Sequence, residues 1–165
     1  MNIQIEMMLY IQLSILHFMQ GQYRTSISWL NKALHNDTFR ARADLQSFIR
    51  IYNLILHYEL GNHDVLEYLA RSVYRYLMKR DQLYKYEQEI LSFIRHSNTQ
   101  DSGKMISHFT ILRNNLEKIV SDPFEKRMLE FFDIFSWLDS KITGRPFAEI
   151  VRKKAEEEKI KFMES

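Results

Sequence analysis

The chain contains no cysteine, which excludes disulfides, thiol nucleophiles and cysteine-built zinc sites and leaves nothing to argue for an oxidising compartment. Glycine and proline are scarce, at 4 and 2 of 165 residues, and with 45% hydrophobic residues the composition is that of a globular, helical protein and not a disordered one. Excess charge of one sign is also missing. With 23 Lys and Arg against 21 Asp and Glu, the net charge is only +2, and dedicated nucleic-acid binding, which needs several uncompensated cations, is not expected. The densest apolar run, Met7 to Met19, is interrupted by Gln12, Ser14 and His17, too short and too polar to span a bilayer. The opening MNIQIE has neither a basic segment nor a small-residue cleavage site, so no secretory signal is read and a cytoplasmic location is expected. There is no glycine-rich phosphate loop, no H-E-x-x-H or E-x-x-H pattern and no nucleophile elbow. Neither enzymatic activity nor a cofactor is expected.

What is present is helical periodicity, clearest from Tyr10 to Asp37. Leu13, Leu16 and Phe18 recur at helical spacing before Gly21, and Ile27, Leu30, Ala33 and Leu34 do so after it. Gln20, Gly21 and Gln22 interrupt the pattern. Glycine adopts the left-handed conformation that ends a helix at little cost, so the spacing predicts two antiparallel helices hinged there.

These residues resemble the tetratricopeptide repeat, a 34-residue helix pair. Tyr10, Leu13 and Ser14 stand at its first-helix spacings, and Gly21, Tyr23, Ser26, Leu30 and Ala33 at those that follow its turn; Thr38 replaces the usual closing proline. Ser14, Ser26 and Ala33 would let the two backbones approach closely. The resemblance covers about 28 residues.

A second unit follows near 38–80. Asp37 and Thr38 are candidate caps. Leu45, Phe48, Ile49, Tyr52, Leu56 and Leu60 lead to Gly61, and Leu66, Leu69, Val73, Tyr76 and Leu77 follow Asn62. Gly61 lies 40 residues after Gly21, and His57 lies 40 after His17, a period that suits stacked helix pairs. Leu54, Leu66 and Val73 occupy the small-residue positions, which predicts a wider crossing. A third pair starts at Asp81, with HSNTQDSGK (96–104) as its loop. The fourth starts at Asp122-Pro123-Phe124-Glu125, where aspartate caps, proline suits the first turn and Glu125 sits at the capping-box position. Its first helix is read through Leu138, and a solvated last helix spans roughly Pro146 to Phe162. The expected architecture is all-α: one helical-repeat domain over 1–165, a right-handed α-α superhelix of about four antiparallel pairs at 4–36, 40–80, 81–120 and 122–163.

The resemblance implies an interaction module, or scaffold, holding a helical or extended peptide in a groove lined by the first helix of each pair. Met8, Ile11, Ile15 and Phe18 from the first pair and Phe48, Ile51, Ile55 and Tyr58 from the second would line it, an apolar surface suited to an amphipathic helix. Met7 to Met19 also has little polar side. Either this helix self-associates with a second copy, or it abuts the rest of a longer array, or it binds a partner helix, or the last helix folds back over it. Tyr68, Arg71, Arg75 and Lys79 share a face and could hold phosphates, nucleic-acid backbone or an acidic peptide, although Glu67 is placed to pair with Arg71. His17 and His57 could form a metal or proton-sensing pair, but at places where the repeat pattern tolerates tyrosine they read first as packing residues.

Overall fold

The computed structural model describes residues 3–35, 43–79, 83–97 and 102–164, and the regular structure of the described residues is entirely α-helical. The helices are α1 (Ile3–Met19), α2 (Tyr23–Leu34), α3 (Ala43–Glu59), α4 (His63–Met78), α5 (Lys85–His96), α6 (Ser102–Ile119), α7 (Pro123–Glu130), α8 (Ile134–Thr143) and α9 (Phe147–Glu164). The candidate caps Asp37, Thr38 and Asp81 lie outside the described residues.

The first two helix pairs end their leading helices in the same way. Gly21 and Gly61 have φ of +71° and +68°. Their N–H groups donate to the carbonyls of Phe18 and Tyr58, and the next N–H groups, of Gln22 and Asn62, reach back to His17 and His57. These bonds satisfy carbonyls that the helix end would leave unpaired. The forty-residue period therefore has a backbone counterpart.

Close approach of α1 and α2 is built on serine. Ser14 Oγ donates to the Ser26 carbonyl at 2.9 Å, and Ser26 Oγ donates to the Ser14 carbonyl at 2.7 Å. Both side chains are fully buried, and the Tyr52 hydroxyl of α3 lies 3.4 Å from Ser26 Oγ. Each hydroxyl thus has a partner that compensates its burial.

From α1 to α6 each helix packs against the next in the chain, and α3 also touches α5. The last third departs from the expected fourth pair. Among the described residues it forms three helices, because the chain turns at 131–133. Asp133 restarts the helix by accepting from the Ser136 N–H at 3.2 Å and from the Ser136 hydroxyl at 2.7 Å. Phe131 and Phe132 turn inward at this break. Phe131 lies 5.2 Å from Phe48, centroid to centroid, while Phe132 lies 5.0 Å from both Phe18 and Tyr52. Trp137 of α8 reaches Tyr58, Phe93 and Phe109 at 5.8–6.5 Å. The α7–α8 segment thus joins α1, α3, α5 and α6 into one aromatic core, in contacts that go beyond area burial alone.

One expected cap is corrected. Asp122 accepts from the N–H groups of Phe124 and Glu125, as its position predicts. Glu125, however, does not return to the Asp122 N–H. Its carboxylate is buried and accepts instead from Lys85 N at 2.8 Å and Tyr86 N at 3.1 Å, at the start of α5.

Candidate functional site

The eight residues expected to line a peptide groove belong to the interior. Ile11, Phe18, Phe48, Ile51 and Ile55 are buried, while Met8, Ile15 and Tyr58 are half-buried and pack against the same core. Met128, Leu129 and Phe132 pack against Phe48, Ile51 and Ile55, Phe131 lies against Phe48, and Phe147 at the start of α9 adds an edge contact to Phe18 at 5.7 Å. The cavity left between them is about 20 Å³. That is room for one water, not for a peptide.

The outer face of α1 is different. Ile5, Leu9 and Leu16 are 61%, 45% and 48% exposed, and Gln12 between them is exposed as well. With half-buried Met19 they form a stripe at 5, 9, 12, 16 and 19, alternating steps of four and three that keep one seam in line along a helix. The only Asp, Glu, Lys or Arg in α1 is Glu6, which accepts a hydrogen bond from the Tyr10 hydroxyl. Tyr10 stacks on Trp29 of α2, over which Lys32 Nζ sits at 3.9 Å. The last helix does not fold back over this face: α9 is exposed from Arg152 to Met163.

Tyr68, Arg71, Arg75 and Lys79 are all exposed along α4, Tyr68 by 66%. Arg71 is engaged by Glu67 in the expected ion pair, whereas Arg75 makes none among the described residues. His17 and His57 each bond within their own turn. His17 Nδ1 lies 2.6 Å from Gln22 Oε1, and His57 Nδ1 lies 3.1 Å from Asn62 Nδ2. Burial lowers the His57 pKa, which disfavours its charged form. Among the described residues no group of three or more His, Asp or Glu could hold a metal ion, and no helix is long and apolar enough to cross a membrane.

No family model matches the chain, and neither does any curated protein or solved structure.

Two cavities lie away from the candidate site residues that helical spacing marks. One, about 520 Å³, lies between α6, α8 and α9, with Val120, Phe135 and Ile150 among its apolar lining. Its charges largely compensate one another: Arg113 pairs with Asp139 at 2.6 Å and Glu117 at 3.4 Å, and Lys154 with Asp133 at 3.1 Å. Asp139 accordingly raises the Arg113 pKa further. The second, about 230 Å³ between α5 and α6, is lined by Phe93, Leu112, Glu89, His96 and His108. The second also holds Ser92 beside His96, but His96 Nδ1 bonds the Ser92 carbonyl at 2.7 Å and not its hydroxyl; both cavities are assembled from more than one helix. Periodicity along one helix carries no trace of such a place.

Proposed function

We propose that this chain is a non-enzymatic helical-repeat module, tetratricopeptide-like in its first two helix pairs, that acts by protein–protein association through the outer face of α1. The observation that carries this reading is the uncharged, exposed stripe of Ile5, Leu9 and Leu16 beside Gln12. Exposed apolar side chains aligned along one helix face mark an interaction face. The matching turns at Gly21 and Gly61 and the serine contact between α1 and α2 support the repeat assignment. The inner groove is the less favoured docking place, because a peptide there must first displace Phe131 and Phe132 from the core.

Self-association is the simplest use of such a face. Burying the exposed part of each stripe residue contributes roughly 1 kcal/mol, or about 6 kcal/mol over two copies. This is comparable to the lower estimates for the cost of association, so the stripe by itself supports only a weak dimer, populated at high protein concentration, and not an obligate one.

The test is the solution mass by light scattering across a range of concentrations. A dimer that Leu9→Asp and Leu16→Asp dissociate without loss of helicity fits the reading. A monomer at every concentration removes self-association.

The α4 stripe supports a second reading, binding of an anionic ligand, because Arg75 is exposed and unpaired among the described residues beside Tyr68. Affinity through that face would fall steeply with salt, whereas association through α1 would be nearly indifferent to it.

A further inference from the structure

Resting on the self-association reading, we propose that two copies pair their α1 helices antiparallel about a two-fold axis at Gln12. The residues of the stripe read the same in both directions: a large apolar side chain, leucine, glutamine, leucine, a large apolar side chain. Ile5 and Met19 are each seven residues from Gln12, about 10 Å along the helix, and Leu9 and Leu16 are three and four residues from it, about 5 and 6 Å. A two-fold at Gln12 therefore sets Ile5 against the other copy's Met19 and Leu9 against its Leu16. Such an interface must be self-complementary, and an amide side chain is so at the axis, since it both donates and accepts.

Charge selects the antiparallel arrangement. Parallel pairing would bring the two Glu6 carboxylates together. Antiparallel pairing moves each Glu6 towards the Met19 end of the other copy, where α2 opens with Arg24 exposed in its first turn. It also opposes the two helix dipoles. A partner of another kind has less to recognise, because no charge on the stripe itself would select it.

The absence of native cysteine makes the register directly readable. Gln12→Cys, Leu9→Cys and Leu16→Cys, all at exposed positions, are made singly in the full chain and oxidised mildly. The proposal expects Gln12→Cys to cross-link to itself, and a mixture of Leu9→Cys with Leu16→Cys to give mainly the mixed disulfide. Self-linked Leu9→Cys and Leu16→Cys in preference to the mixed product would overturn the antiparallel register while leaving the dimer. A dimer by mass in which none of the three cross-links would overturn the use of α1. In the second arm, Gln12→Glu places like charges at the axis and should weaken the dimer at least tenfold, with recovery when the carboxylates are protonated at low pH. An unchanged dissociation constant for Gln12→Glu would place the axis elsewhere. A wild-type chain that stays monomeric defeats the underlying reading itself.

Discussion

Trp137 donates its indole N–H to the Glu59 carboxylate at 2.6 Å, across 78 residues of chain. Lys141, one turn further along α8, donates to the same carboxylate at 2.6 Å. The Glu59 side chain is only 5% exposed, so its charge is held by partners and not by water. This junction ties the end of α3 to α8 and so helps to hold Phe131 and Phe132 against α1 and α3.

Glu59→Leu should therefore be costly, because it leaves the indole N–H buried without an acceptor and removes the partner of Lys141. The loss is expected to be about 3 kcal/mol, at the low end for a broken buried pair because Lys141 can turn towards solvent. Urea unfolding monitored by far-ultraviolet circular dichroism checks it: the midpoint should fall with the slope unchanged. A loss below about 0.5 kcal/mol would mean that the pair does not secure α8.

Alkaline pH should loosen the same region. Burial, followed by the negative charge of Glu59, pushes Tyr23 and Tyr58 up to about 12, and burial raises Tyr52 further still. The neutral phenol is favoured in the folded state, so the stability is fully present below pH ~10, where the unfolded tyrosines begin to ionise, and is lost as pH rises towards the folded values. Each tyrosine can contribute a slope of up to about 1.4 kcal/mol per pH unit in that window, less for the half-buried Tyr23 and Tyr58. Denaturation midpoints should be flat through about pH 9 and decline above about pH 10. Tyr52→Phe should reduce the slope.

The two equivalent turns offer a matched pair of substitutions. A Cβ on Gly21 or Gly61 would meet nothing within 4 Å, so the cost of alanine is purely that of its positive φ. Gly21→Ala and Gly61→Ala should each destabilise by about 1 kcal/mol, and should add in the double variant because the sites share no contact. A loss several times larger at one turn alone would break their equivalence.

Ile11 and Leu9 separate core from surface on one helix. Ile11 is 1% exposed, and Ile11→Asp buries an unpaired carboxylate that should cost about 4 kcal/mol or more. Leu9→Asp changes a side chain that faces solvent and should alter stability by about 0.5 kcal/mol or less while abolishing association. Thermal unfolding and light scattering on both variants distinguish these roles. Equal destabilisation would mean that Leu9 is part of the core.

Helix content and the first turns were legible because their signals are local. Gly21 and Gly61 interrupt the apolar spacing where the backbone turns, and Asp122-Pro123 starts a helix where one starts. The break at 131–133 was missed because Phe131, Phe132, Ile134 and Phe135 continue the apolar pattern through it, with Asp133 as the sole local marker. The burial of Ile11, Phe18 and Phe48 could not be read for a different reason. Periodicity identifies a face that must be covered, but it does not say by what. For Phe18 and Phe48 the cover comes from Phe132 and Phe131, more than 80 residues away in sequence. The stripe on α1 was visible only as an excess of apolar residues, and separating Leu9 from Ile11 required knowledge of which side α2 and α3 occupy.

Glu125 carries the last prediction, since its position in the sequence serves two helices equally well. Asp122 caps α7, and the carboxylate of Glu125 crosses to the start of α5, where it accepts from Lys85 and Tyr86; Glu87 accepts from Tyr84 beside it. Two carboxylates therefore satisfy three successive N–H groups, at the end of the helix where negative charge is favoured. Glu125→Ala should cost about 2 kcal/mol, through the loss of two charge-assisted hydrogen bonds in a buried place. Asp122→Ala should cost about 1 kcal/mol, as for an exposed cap. Amide hydrogen exchange separates the two roles. Glu125→Ala should speed exchange at Lys85 and Tyr86, and Asp122→Ala at Phe124 and Glu125. If Glu125→Ala instead left the α5 amides protected and released those of α7, the carboxylate would be serving its own helix, and the link between α5 and α7 would have to rest on apolar packing alone.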